Sequence, residues 1–156
     1  MKSLTLFRHA KTERDSTTGR DFDRQLAERG ERDAARMGEE IRKLGAEFDA
    51  ILSSPAARAA QTAELAGLAP HFDDRIYNAS AGQLLALVQE TDGSEARLLL
   101  VGHNPGFEQL AAVLLGTPLD MPTGTLAQIE LPIGDWHEAG AARGRLALYL
   151  CPSELD

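Results

Sequence analysis

Three short segments of the chain carry side chains that could do chemistry together. Arg8-His9 follows Leu4-Thr5-Leu6-Phe7; Ser53-Ser54-Pro55 follows Phe48 to Leu52 and leads on to Arg58; Gly102-His103-Asn104 follows Leu98-Leu99-Leu100-Val101. The preceding stretches read as β-strands, the last as one buried on both faces. In an open α/β sheet ligands sit beyond the C-terminal ends of the strands, so two arginines and two histidines are expected at one rim. Guanidinium offers paired donors that match phosphate geometry, and neutral imidazole is nucleophilic near pH 7. Helix starts expected at Pro55 and Pro105 add free N–H groups and partial positive charge. The set suits binding a phosphate dianion. Singly, these residues have plainer readings, surface charge for the arginines and structural hydrogen bonding for the histidines; the conjunction is what points to a site.

Behind that rim the pattern alternates strands with helices. Leu26, Gly30, Ala34, Met37, Ile41 and Leu44 recur at helical spacing, with Gly45 placed to end the helix. A second helix is expected from Pro55, capped by Ser54 and ended by Gly67, with Arg58 in its first turn. Residues 68–76 read as irregular with a possible short strand, and Gly82 to Glu90 as a short apolar helix. A helix capped by Asn104 and begun by Pro105 runs to Gly116, and strands are expected at Thr125–Leu131 and Arg145–Cys151 around Gly134, Gly140 and Gly144. The expectation is a three-layer α/β/α sandwich with a mostly parallel central sheet, one domain over residues 1–156.

Composition narrows the partners. A net charge of -8 has the wrong sign for a surface that holds nucleic acid or anionic lipid, so an anionic ligand needs a local positive pocket. The single Cys151, in an apolar run, provides neither a disulfide nor a thiolate metal site within one chain. No stretch reaches the roughly 18 apolar residues of a membrane helix, and the apolar start is too short for a secretory signal. A cytoplasmic location is the expectation, without nucleic-acid or membrane partners; oligomeric state stays open.

Four ordered blocks carry a family resemblance over nearly the whole chain: Leu6-Phe7-Arg8-His9-Ala10-Lys11-Thr12, Arg24 to Gly30, Ser53-Ser54-Pro55 with Arg58 and Gln61-Thr62, and Val101 to Gly106. Together the sequence resembles the histidine phosphatase superfamily, nearest its small SixA-like phosphohistidine phosphatase branch. The resemblance implies a phosphoglycerate-mutase-like fold and a metal-independent phosphatase without cofactor. It makes His9, in an RHA version of the RHG motif, the nucleophile that becomes phosphohistidine. One ring nitrogen of His9 must then stay free while the other donates, to a backbone carbonyl for instance. Arg8 and Arg58 would clamp the phosphoryl oxygens, and His103, as imidazolium or N–H donor, would complete the cage. Thr12 is a further candidate for phosphate contact, with an ordinary loop role as its alternative. Asn104 reads as a helix cap rather than a ligand.

The chain departs from the family pattern in two places. Larger members carry a glutamate that protonates the leaving group; the comparable stretch here, Arg75 to Ser80, has Asn78. Either Glu13, Asp15, Asp21 or Asp23 serves instead, or the substrate needs little help. Phosphohistidine needs little, because imidazole leaves with a conjugate-acid pKa of about 6.5. Only 45 positions separate Arg58 from His103, which leaves no room for a lid insertion and suits a bulky substrate such as a phosphorylated protein. The alternatives are a small-molecule phosphomonoesterase with the same residues, a non-catalytic module that binds phosphate or a phosphoprotein, and a zinc site from His9, His71, His103 and His137. The last lacks a close-spaced ligand pair and faces repulsion from the arginines.

Overall fold

The computed structural model describes residues 1–141 and 143–155. Strands β1 (Lys2–Arg8), β2 (Ala50–Ser53), β3 (His71–Phe72), β4 (Arg97–Gly102), β5 (Leu126–Leu131) and β6 (Arg145–Leu150) form one sheet in the order β3-β2-β4-β1-β5-β6. The first four pair in parallel, while β5 runs antiparallel to β1 and β6 antiparallel to β5. The possible strand within residues 68–76 is β3, only two residues long.

Helices α1 (Glu28–Lys43), α2 (Ala57–Leu65), α3 (Ala81–Gln89) and α4 (Gly106–Leu115) cover both faces of the sheet. Because side chains alternate along a strand, Leu4, Leu6, Leu98 and Leu100 pack with Leu84, Leu87, Phe107 and Leu110 of α3 and α4. Phe7, Leu99 and Val101 point the other way, onto Met37 and Ile41 of α1 and Ala59 and Ala63 of α2. Each such leucine or phenylalanine stabilises the fold by about 1.5–3 kcal/mol when fully buried, and β1 and β4, inside both clusters, are the best-buried strands.

Two helix starts differ from expectation. α2 begins at Ala57 with Ala56 as its cap, and the Ser54 hydroxyl, which accepts from the Ala56 N–H at 3.2 Å, also pairs with His103. α4 begins at Gly106 with Pro105 in the cap position. Asn104 still serves its first turn, its Oδ1 accepting from the Glu108 N–H at 3.3 Å, one residue further along than expected. α3 starts with a reciprocal Ser80–Gln83 capping box.

Candidate active site

The strand order decides the site. β2, β4 and β1 are neighbours, and their register sets Ser53 beside Val101 and Arg8 beside Gly102. The three C-terminal ends therefore open into one cleft of about 650 Å³, whose lining includes Arg8, His9, Arg58 and His103. Gly102 is required at this junction, since a Cβ there would stand 2.7 Å from the Phe107 ring.

His9 is 7% exposed, and its Nδ1 lies 2.8 Å from the Ala10 carbonyl. A carbonyl only accepts, so Nδ1 carries the proton and Nε2 keeps its lone pair. The turn around it is tied from three sides. The Ala10 N–H donates to Thr62 Oγ1 at 3.0 Å, Thr62 in turn donates to the Arg58 carbonyl, and the Gly124 N–H donates to the His9 carbonyl at 2.8 Å. Gln61 accepts from the Leu26 N–H, and Leu26 and Thr12 form an isolated antiparallel bridge. The Gln61-Thr62 pair thus fastens α2 to the loop that carries the histidine.

His103 is similarly buried, with its ring centroid 5.3 Å from that of His9 and its Nε2 2.7 Å from Ser54 Oγ. Burial and the arginines disfavour the charged form of both rings, and for His103 the proximity of His9 adds to this. The His9 pKa falls to about 4, burial being the largest cause, with the Ala10 carbonyl partly opposing it. That of His103 falls to about 3, through burial and then the Arg58 charge. His103 is therefore a neutral ring near pH 7, which favours the N–H donor of its two expected roles over the imidazolium.

Arg58, 6% exposed, donates through Nη1 to the Asp21 carbonyl at 2.8 Å and through Nη2 to Asp21 Oδ2 at 3.0 Å. Arg8 donates through Nη1 to the Met121 carbonyl at 2.8 Å, while its buried Nε has no partner among the described residues. Asn104 donates to the same carbonyl and reaches the cleft wall. Thr12 also lines the cleft, with its hydroxyl accepting from Arg24 Nη2 at 2.6 Å.

Sequence reasoning missed Arg24, Tyr77 and Ser54 as site groups. Arg24 stands in one of the quoted blocks, and its Nη1 donates to Asp21 Oδ1 at 3.0 Å; Tyr77 donates its hydroxyl to Asp21 Oδ2 at 2.7 Å. The run from Arg14 to Arg24 reads in the sequence as a polar surface loop, and that pattern hid which of the nearby acids turns inward. Of the four named, Asp21 is the one that lines the cleft, whereas Asp23 takes a hydrogen bond from Thr18 and Glu13 offers Arg24 only its backbone carbonyl. Burial alone would raise the Asp21 pKa, but hydrogen bonds from Tyr77 and Arg24 and the Arg58 charge outweigh it and bring the value to about 2. Asp21 is ionised near pH 7, which disfavours it as the acid among the expected candidates and favours the alternative of a substrate that needs little help. Asn78 lines the cleft with a left-handed backbone, φ 56°, and asparagine tolerates that region well. Arg8, Lys11, Arg24 and Arg58 face Asp21 alone among the charged side chains lining the cleft, a local positive field in an acidic chain. The histidines do not gather, for His71 lies on β3 and His137 pairs with Asp135 on the surface. Among the described residues no group of three or more His, Cys, Asp or Glu is placed to hold a metal ion, and no helix is long and apolar enough to cross a membrane.

A three-layer α/β fold with an arginine–histidine anion cleft at the C-terminal rim of its sheet defines a class of phosphoryl-binding proteins. The chain belongs to the histidine phosphatase superfamily, whose branch 1 family model matches residues 4–97. Within it the chain is SixA-like. It is 30% identical to the SixA protein of Agrobacterium tumefaciens, provisionally named a phosphohistidine phosphatase, with a TM-score of 0.83 over 97% of this chain and 98% of that one. The protein histidine phosphatase SixA solved with tungstate shares the fold at a TM-score of 0.84 and 24% identity, over 99% of both chains. An uncharacterised chloroplast protein of Arabidopsis thaliana is 31% identical over 92% of this chain and 72% of its own length.

Proposed function

We propose that residues 1–156 act as a single histidine phosphatase domain, a metal-independent phosphatase that works through a covalent phosphohistidine on His9 and takes protein phosphohistidine as substrate. The carrying observation is the state of His9: buried, neutral, with Nδ1 tied to the Ala10 carbonyl and Nε2 unprotonated beside Arg8 and Arg58. In this reading Nε2 attacks phosphorus as the bond to the substrate nitrogen breaks, and that bond's electron pair stays with the departing imidazole. Arg8, Arg58 and His103 donate to the three equatorial oxygens, where charge is spread in the transition state. A water then attacks the phosphoryl group, releasing phosphate and restoring neutral His9. Thr12 serves by holding Arg24 and facing the phosphate.

The substrate assignment rests on the missing acid. Asp21, the only carboxylate lining the cleft among the described residues, is ionised, and Asn78 is an amide. An alkoxide leaving group needs a proton that this cleft does not offer, while an imidazole departs readily. The open cleft also suits a protein-borne phosphoryl group over an enclosed small ester.

The test supplies a phosphohistidine-bearing protein and, separately, an aryl phosphate, both in excess chelator, and follows phosphate release with alkaline quenching. Rapid release from the first, with an alkali-stable, acid-labile label that His9→Ala abolishes, is expected. Faster release from the ester would turn the assignment to a small-molecule phosphomonoesterase. A folded protein that binds phosphate but neither labels nor releases it would be a binding module.

A further inference from the structure

A second hollow of about 520 Å³ opens off the cleft and shares Asp21 and Tyr77 with it; Arg20, Phe22, Pro55 and Asp74 complete its lining. Its chemistry is the reverse of the cleft's. Phe22 and Tyr77 meet edge to face, with centroids 5.1 Å apart at 88°, and present two aromatic walls. Arg20 lies over the Phe22 ring at 5.7 Å. Two carboxylates complete the polar character, and Asp74 has no ion-pair partner among the described residues. The Asp21 side chain remains 47% exposed. Its Oδ2 accepts from Arg58 and Tyr77 and its Oδ1 from Arg24. An ionised carboxylate offers about four lone-pair sites, so Oδ1 retains one for a ligand N–H. Since Arg24 and Arg58 already balance its charge, Asp21 acts here as an acceptor rather than as a counter-ion.

We propose that this hollow is the leaving-group subsite, shaped for a flat ring that donates an N–H, with the touching Phe22 and Tyr77 rings forming an aromatic corner for it to pack against and Asp21 and Asp74 drawing its polar edge. The inference rests on the function proposed above and names the source of the missing proton. A phosphohistidine ring protonated on the nitrogen remote from phosphorus already carries it. When the P–N bond breaks, its electron pair returns to the ring nitrogen and a new bond forms between phosphorus and His9 Nε2. The ring then departs as neutral imidazole, still holding its remote N–H, and no acid has to deliver a proton. An alkyl ester has no such nitrogen, and its oxygen would leave as an alkoxide. The positive cleft and the aromatic, carboxylate-edged hollow thus match the two halves of one substrate.

The test measures kcat/KM for the intact chain, Phe22→Ala and Asp74→Asn on three substrates: a phosphohistidine peptide, inorganic phosphoramidate, which has a P–N bond and no ring, and 4-nitrophenyl phosphate, which has a ring and no N–H. Phe22→Ala is expected to lose about tenfold or more on the peptide, the scale of one lost ring-stacking contact. Asp74→Asn should lose on the peptide while holding 4-nitrophenyl phosphate steady. Both variants should stay within about twofold of the parent on phosphoramidate, because substrates without the ring do not use the hollow. An equal loss on all three substrates would mean that these residues support the fold of the cleft, and an unchanged peptide rate would mean that the hollow is not used; either overturns the subsite. Failure of the unaltered protein on both P–N substrates, with the ester cleaved, would overturn the proposed function itself and is read without the variants.

Discussion

Acidifying the protein from pH 6.5 to pH 4.5 should remove about 4 kcal/mol of stability through His9 and His103 alone. Both rings are held neutral in the fold, with pKa values brought to about 4 and about 3 from the ordinary 6.5. Between those values and 6.5 the unfolded chain takes up a proton at each ring that the folded chain refuses. The unfolded state binds more protons, so stability rises with pH across this window and is lost as pH falls. Each ring contributes a slope approaching 1.4 kcal/mol per pH unit below 6.5, or about 2 kcal/mol over the interval. The carboxylates whose pKa values are lowered, Asp21, Asp49, Asp73, Asp92 and Asp135, start from 3.8 and lose their contribution mainly below this range. The assay is the denaturant midpoint at several pH values for the parent and for His9→Gln combined with His103→Gln, with the imidazole C–H shifts followed by NMR. The double variant should show a flattened dependence, and the two imidazole signals should titrate far below 6.5. A double variant whose midpoint falls as steeply as the parent's would refute the reasoning.

Two substitutions probe how the nucleophile is held. Thr62→Val leaves the buried Ala10 N–H without its acceptor, which should cost about 1–3 kcal/mol in denaturant unfolding and lower kcat on an aryl phosphate more than it raises KM. Gly30→Ala drives a Cβ into the Lys11 backbone carbonyl at the turn that follows His9; the expected loss is about 1–3 kcal/mol. Gly82→Ala, in the open first turn of α3 with nothing nearer than 3.9 Å, should instead be neutral or stabilising by up to about 1 kcal/mol. Equal melting behaviour of the two alanine variants would show that the contact at Gly30 does not constrain the turn.

Much was legible along the chain because local pattern and local physics agree. The alternation in Leu4 to Phe7, the continuous apolar run Leu98 to Val101 and the three-to-four spacing from Gly30 to Ile41 each specify an element and the face it buries, whereas Leu26, expected on the same helix face, precedes the helix and pairs with Thr12. The same strands end in Arg8-His9 and Gly102-His103, so the rim of the sheet could be inferred before any contact was known. Helix starts were less certain. Ser54-Pro55 and Asn104-Pro105 have the composition of a cap followed by a first turn, yet Ser54 also turns its hydroxyl to His103, and each helix begins one or two residues later. A cap signature records a backbone preference, and at Ser54 the same hydroxyl also serves a buried imidazole.

What the sequence determined alone was the class of fold, the strand ends that bear the histidines and arginines, and the absence of an acid at position 78. Tertiary structure decided the rest. The adjacency of β2, β4 and β1 made three separate junctions into one cleft. The inward turn of the polar loop chose Asp21 from four acids and joined it to Arg24, Arg58 and Tyr77, partners 3, 37 and 56 positions away. Burial made both histidines neutral. Apart from the neighbouring Arg24–Asp21 pair, these are long-range effects of desolvation and of charges brought together by folding, and no local spacing encodes them.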